Sequence, residues 1–274
     1  MSAETPPPRH GPACGVTGAA GGFFSGITGV GGGAIMIPLL TGVLGMPQHR
    51  AHGTSLVVIT FAAATGVAVY AWSTSIDWTL VATLLAGSMV GAYLGARGAH
   101  RLPGMRPRQL FGAFLVLVAL RLVLVEPTNP MLDAAGLTWL IFGAGLGLLG
   151  GVAAGALGIG GGALFVPGMV VVLGTGQHEA QGVSLAVIVL TASVGALTHA
   201  RHGTVDVRAA AWLVPSSIPA SGLGAGAAAA LGTFALQRIF AAVILAVGIQ
   251  MLASATLRIR RERGLETPSE ADRV

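Results

Sequence analysis

The chain has 274 residues, 53% of them hydrophobic and only 9% charged, with a formal net charge of +5 and a mean hydropathy of +0.79. A soluble domain carries roughly a quarter charged residues, so a water-soluble globule is excluded. The basic excess reads as positive loops on one side of a membrane and not as a nucleic-acid footprint, because no basic stripe with interleaved aromatics is present. The single cysteine, Cys14, excludes an internal disulfide and a thiolate metal site.

In chain order, residues 1–12 read as a disordered tail, because MSAETPPPRHGP lacks a basic start leading into a short apolar core and a cleavage site. Four apolar segments come next, at about 13–45, 53–72, 78–97 and 108–125. After a connecting loop at 126–137 come four more, at about 138–173, 182–200, 209–230 and 238–257, and then a basic, polar tail over 258–274. Asp, Glu, Lys and Arg are absent from 11–49, 51–76, 78–96, 109–120, 134–178, 180–200, 209–237 and 239–257. Runs of about 20 apolar residues span a bilayer as helices, and the alternation of a transmembrane barrel is missing. The expected fold class is an all-α polytopic membrane protein.

The first segment contains SGITGVGGGAIMIPLL (25–40), and within it a Gly-x-Gly-x-x-Ala stretch from Gly29 to Ala34. A dinucleotide loop would need a strand before it, an uninterrupted helix after it and an acidic residue about 20 positions on. The preceding GAAGGFFSGIT is too glycine-rich for a buried strand, Pro38 interrupts the stretch after the glycines, and the next acidic residue is Asp77. No Gly-Lys-Ser/Thr is present after the glycines either, so a triphosphate loop is excluded.

Shifted by 129 positions, the sequence matches itself. GFFSGITGVGGGAIMIP (22–38) falls on GVAAGALGIGGGALFVP (151–167). The register continues without a gap, so that Gln48, His49, Gly53, Ser55, Gly66, Asp77 and Gly95 meet Gln177, His178, Gly182, Ser184, Gly195, Asp206 and Gly224. A shared register of this length reads as duplication, with membrane repeats at 13–125 and 138–257.

The first segment of each repeat is too long for one crossing: about 33 helical residues reach about 50 Å against a core of about 30 Å. It is either a broken crossing or a re-entrant hairpin that turns at the glycines. The placement of basic loops chooses between them. With a crossing, RGAHRLPGMRPR (97–108) and RIRRERG (258–264) fall on opposite faces. With a hairpin and three full crossings per half, both clusters share the face of Arg50, Arg201 and Arg208, while Asp77, Glu126, Asp133 and Glu179 take the other. Three crossings invert the second half. The expectation is therefore two inverted repeats of about 129 residues, each a Gly-broken re-entrant helical hairpin plus three transmembrane helices. Both termini are expected to be cytoplasmic in a multi-pass plasma-membrane protein.

In this arrangement the two glycine turns meet near the bilayer midplane. Glycine permits the sharp turn and the close helix approach it needs, and irregular backbone at that depth persists only where protein buries it or water lines it. The half-helices beginning near Gly33–Ala34 and Gly162–Ala163 would point their free N–H groups and positive dipole ends at the centre, which favours an anion. The candidate substrate-binding backbone is thus Gly29, Gly31, Gly32 and Gly33 with Gly158, Gly160, Gly161 and Gly162. Pro38 and Pro167 beside them read as structural helix breaks. Gly22, Gly26 and Gly155 read as packing positions.

These residues carry a family resemblance. GxxGxGGGxxxxP, present twice and trailed by Gly-x-Ser-Leu at the next helix start, resembles the sulfite exporter TauE/SafE family, also called toluene-sulfonate uptake permeases. The resemblance covers about 15–257. It implies a permease for small anions such as sulfite, sulfonates and related organosulfur or carboxylate compounds, with protons as coupling ion. No cofactor and no metal are expected, because the chain lacks a buried carboxylate–histidine cluster.

Other polar residues have two readings each. Ser55 and Ser184, at the starts of long helices, are either caps or hydroxyl donors to substrate. Gln48, His49, Gln177 and His178, in the links after the hairpins, are interfacial or take part in gating or proton handling. Arg121, the one strong charge well inside an apolar run, is a functional candidate or snorkels to the edge near Glu126. His199, near a helix end, reads as interfacial. Pro215 and Pro219 interrupt the seventh segment beside Ser216, Ser217 and Ser221; they make a kink whose backbone the serines satisfy, or they line a pathway. An intramembrane enzyme is disfavoured, because GFFSG (22–26) only loosely resembles a Gly-x-Ser-Gly nucleophile motif and no histidine lies deep in an apolar segment, and the paired helix breaks argue against a membrane scaffold without transport. The partners implied are a small anion and the lipid bilayer, not nucleic acid.

Overall fold

Glycine decides how closely several helices of this chain approach. The structure, a computed structural model, describes residues 11–99, 106–124, 136–157 and 161–265, and among these all regular structure is helical. The order is α1 (Pro12–Thr28), α2 (Gly33–Gly42), α3 (Gln48–Ser73), α4 (Trp78–Ala99), α5 (Arg106–Leu124), α6 (Leu137–Leu157), α7 (Gly162–Gly168), α8 (Gln177–Arg201), α9 (Val207–Ala230) and α10 (Thr233–Leu265). A π-helical turn, Met169–Leu173, continues α7.

Local chemistry fixes several ends. Pro12 starts α1, where its missing N–H is no loss. Asp77 accepts from the amides of Thr79 and Leu80 and so caps α4, and Asp206 accepts from the amide of Ala209 and caps α9. The apolar runs understate three helices. α3 and α8 begin at Gln48 and Gln177, directly after Pro47 and Gly176, and α10 continues to Leu265 through the start of the expected C-terminal tail. A helix needs apolar residues only where it is buried in lipid or protein, so its polar ends are invisible to a hydropathy reading.

Two expectations are corrected here. Gln48, His49, Gln177 and His178 are not loop residues; they form the first turns of α3 and α8. The prolines expected as helix breaks do not interrupt the helices, since Pro38 and Pro167 lie inside α2 and α7 and α9 continues through Pro215 and Pro219. In α9, the Ser216 hydroxyl donates to the Trp212 and Leu213 carbonyls and Ser217 donates to Val214, which supports the backbone around both prolines.

Among the described residues, five helical stretches are long and apolar enough to cross a membrane: Gln48–Ser73, Trp78–Gly95, Leu137–Ala154, Gln177–Arg201 and Thr233–Ala253. This set differs from the six expected crossings. α6, expected as a hairpin arm, is included, whereas α5 is a shorter apolar helix over Gln109–Leu124 and α9, with its prolines and serines, is absent.

The most extensive helix pairs are α4 with α6, α1 with α9, α5 with α10 and α3 with α8. The first two meet backbone to backbone. A methyl group at Gly18, Gly22 or Gly26 would fall 2.4, 2.3 or 2.1 Å from the carbonyl oxygen of Leu213, Ser217 or Ser221. At Gly87, Gly91 and Gly95 it would meet the carbonyls of Ala144, Leu148 and Val152 at 2.1, 2.1 and 2.4 Å. Contact positions rise together along both chains, so α1 runs parallel to α9 and α4 parallel to α6. α3 also runs parallel to α9, with Thr54 bonded to the Asp206 amide and the Ala62 carbonyl to Ser221. α2 folds back along α1: Cys14, near the start of α1, shares a buried cluster with Leu40 and Leu44 at and beyond the end of α2. α7 folds back on α6 in the same way, with Phe165 against Gly150 and Leu146 against Gly168.

Candidate functional site

The first break is built from glycines whose conformation other residues resist. Gly29 closes α1 with φ 68°, its amide donating to the Ser25 carbonyl at 3.0 Å, and Gly31 and Gly32 come after it at φ 86° and 70°. Close contact adds a second constraint. A methyl at Gly29 would stand 2.7 Å from Cα of Gln181, and one at Gly32 would stand 2.7 Å from the Gly21 carbonyl oxygen. The chain can turn here only because these positions have neither a Cβ nor a preference for negative φ.

Ending a helix inside the protein leaves carbonyls without amide partners, and side chains from two other helices supply them. The Tyr70 hydroxyl from α3 lies 3.1 Å from the Gly26 carbonyl and closer still to Oε1 of Gln181. The Ser184 hydroxyl from α8 donates to the Gly29 carbonyl at 2.8 Å. On the far side of the break the amides of Ile35 and Met36 bond to the Gly32 carbonyl, so those of Gly33 and Ala34 precede the first bonded turn of α2.

Gly158 and Gly160, at the second break, lie outside the described residues. Gly161 precedes α7 with an ordinary helical φ of −71°, and the amides of Leu164 and Phe165 bond to its carbonyl. The two breaks abut: a methyl at Gly162 would stand 2.6 Å from the Val30 carbonyl oxygen and 2.7 Å from Cδ1 of Ile188. A small cavity lies beside them, bounded by Phe24, Thr28, Val30 and Gly32 of the first hairpin, Ala163 of the second, and Leu115, Val243, Ile244 and Val247 from α5 and α10. Among the described residues no group of His, Cys, Asp and Glu could hold a metal ion.

The other expected residues divide. Ser184 reaches the break, but its hydroxyl is engaged with the backbone. Ser55 lies inside α3 and bonds back to the His52 carbonyl at 2.9 Å. Neither serine caps a helix, since the cap positions are Pro47 and Gly176. Gln48 and His49 are exposed, and Arg121 sits half-buried in the last turn of α5. His178 places Nε2 at 3.1 and 3.2 Å from the Ala228 and Leu231 carbonyls at the end of α9, away from the glycines. Gln177 is buried without a hydrogen-bond partner, one turn before Gln181 on the same face of α8. Tyr70 and Gln181 are not singled out by any sequence motif. Their signal is polarity without identity: the 129-residue shift places Tyr70 on His199 and His52 on Gln181, each a polar residue inside an apolar run or at its edge.

Removing the Ser184 hydroxyl leaves the buried Gly29 carbonyl unsatisfied, which costs about 1–3 kcal/mol. Ser184→Ala is therefore expected to lower the melting temperature in detergent and Ser184→Thr to restore part of it; an unchanged melting temperature for the alanine variant would show that this bond does not hold the break.

The sequence profile of the family described as sulfite exporter TauE/SafE matches residues 2–122 and 143–272. The chain belongs to the TauE/SafE family. A protein of Xylella fastidiosa strain Temecula1 named "Probable membrane transporter protein" is 29% identical over 236 residues, covering 84% of this chain and 90% of that protein. The Bacillus subtilis strain 168 "Probable membrane transporter protein YjnA" is 30% identical over 248 residues, covering 84% and 95%. A further "Probable membrane transporter protein", from Haemophilus influenzae, is 26% identical over 256 residues, covering 87% and 96%. No solved structure matches the chain. TauE/SafE proteins are membrane transporters and not enzymes, in keeping with the disfavoured nucleophile motif at 22–26 and with a chain rich in membrane-length helices.

Proposed function

We propose that this TauE/SafE protein is a secondary transporter for a small anion, most simply sulfite, a sulfonate or a related carboxylate, held at the two glycine breaks near the bilayer midplane. The observation that carries this reading is the abutment of the breaks, Gly162 against Val30, which brings the starts of α2 and α7 together. Buried polar side chains there are hydroxyls and carboxamides: Ser25, Thr28, Gln181 and Ser184. Helix N-termini favour negative charge, and neutral donors can release an anion as well as bind it. The candidate backbone comprises Gly29, Gly31, Gly32 and Gly33 with Gly158, Gly160, Gly161 and Gly162. Ser184 acts there as a positioning residue, and Ser55 is its counterpart in the other repeat.

The reading includes two inverted repeats, 13–125 and 138–257, with re-entrant first segments, cytoplasmic termini and protons as coupling ion. Helix directions support the hairpin. α1 and α3 both run parallel to α9, so α2 must bring the chain back to the side where α1 began. Matched contacts support the repeat. Gly22 on Ser217 has its counterpart in Gly151 on Ser88, and Gly66 on Leu185 in Gly195 on Leu56, each shifted by 129 positions.

The test is thermal shift and isothermal binding on purified protein in detergent, with sulfite, sulfate, thiosulfate, small sulfonates and small carboxylates. Stabilisation by at least one oxyanion, lost in Gly161→Leu, is expected. Folded protein that responds to none of them would overturn the anion reading.

A further inference from the structure

Many helical serines and threonines in this chain turn their hydroxyls back onto the preceding turn, as Thr41 does onto Ile37, Thr60 onto Leu56 and Ser193 onto Val189, and others, such as Ser184 and Ser221, bond a carbonyl of another segment. Ser25 does neither. It is 1% exposed, and its Oγ has no hydrogen-bond partner in the protein. Gln181, 0% exposed, has Oε1 engaged by Tyr70 and Nε2 without a partner. A buried donor left unpaired is unfavourable in the empty protein, and here two flank the same turn. Cβ of Ser25 lies 3.2 Å from where a Gly32 Cβ would stand, at the first turn of α2, and Cγ of Gln181 lies 2.8 Å from where a Gly29 Cβ would stand.

We propose that the Ser25 hydroxyl and the Gln181 carboxamide N–H groups, with the amides of Gly33 and Ala34, are the donors that hold the oxyanion. This rests on the function proposed above and makes it one-sided. In the 129-residue register Ser25 falls on Ala154 and Gln181 on His52, so the second break lacks the same donor pair. One anion binds per chain, at the first break, and Tyr70 is the positioning residue that turns the carboxamide nitrogen of Gln181 inward.

The experiment is isothermal titration of sulfite and of methanesulfonate into the full-length protein in detergent, with melting temperatures of the empty protein measured alongside. Wild type is expected to bind one anion per chain. Ser25→Ala and Gln181→Leu are expected to weaken binding about tenfold to a hundredfold each, the range for a hydrogen bond to a charged group. Ser25→Ala should leave the melting temperature of the empty protein unchanged or raised, because it removes an unsatisfied buried hydroxyl; a merely structural serine would lower it. Gln181→Glu, nearly isosteric, should abolish binding by charge and keeps the test open where the leucine variant does not fold. Wild-type binding with unaltered affinity in Ser25→Ala and Gln181→Glu overturns this assignment alone, whereas a wild type that binds neither anion overturns the anion reading itself.

Discussion

Gly32→Leu is expected to abolish anion binding and transport while the protein still reaches the membrane. Two separate penalties meet at this position. Its φ of 70° is left-handed, which costs an L-residue about 1–2 kcal/mol. Any Cβ there would also stand 2.7 Å from the Gly21 carbonyl oxygen, a backbone atom that cannot swing away. The hairpin can then keep its turn or keep α2 against α1, but not both, and the amides of Gly33 and Ala34 lose their placement. Gly161 offers the contrast. It has φ −71°, and its nearest obstacle is the buried Phe165 ring at 2.4 Å, a side chain, with the nearest backbone atom, the Gly150 carbonyl oxygen, at 3.2 Å. Gly161→Ala is accordingly expected to keep more activity than Gly32→Ala. Uptake into proteoliposomes measures both, and equal activity of the two alanine variants would show that the breaks are governed by something other than backbone conformation.

Gly22→Leu is expected to cause a large loss of stability. A Cβ at Gly22 would stand 2.3 Å from the Ser217 carbonyl oxygen and 2.7 Å from Ser217 Cα, so α1 and α9 must separate to admit it. Inside a bilayer, lipid is as apolar as the side chains, and close packing is what holds helices together. Over-packing of a tight contact costs about 1–3 kcal/mol even where the core can adjust, and this seam has backbone on both sides. Gly151→Leu, against Ser88, should behave alike. By contrast Gly42→Leu, with open space around it, should be mild. Thermal unfolding in detergent, coupled to size-exclusion chromatography, reads the effect, and a Gly22→Leu melting temperature equal to that of Gly42→Leu would refute it.

Much of the architecture is legible in the sequence because it rests on composition. The apolar segments, the turn at 29–32 and the packing role of Gly22 and Gly26 arise from the exclusion of charge from lipid and from the absence of a Cβ. Helix starts are less legible. Gln48 and Gln177 begin their helices in polar sequence, and the breakers that set them, Pro47 and Gly176, precede the apolar runs by several residues. Side-chain roles are the least legible. Ser184 reads in sequence as a cap or a substrate donor; it is not a cap, and its hydroxyl donates to the Gly29 carbonyl, a need that arises only when α8 packs against the end of α1. Tyr70 and Gln181 share no identity with their counterparts in the shifted register, so only the folded chain brings them together.

The pairing of α1 with α9 also bears on the order in which the protein can be finished. α1 ends at Thr28 and α9 begins at Val207, so the glycine seam of the first hairpin waits through most of synthesis for its mate. The seam of α4 is filled much sooner, by α6. Until α9 is made, Gly18, Gly22 and Gly26 lack the backbone they close on, and α1 lacks its most extensive partner. Ribosomal products cut short before Val207 therefore keep the Tyr70 and Ser184 contacts at the first turn but lack the α9 seam behind it, and the N-terminal hairpin is fully packed only when the C-terminal quarter is made.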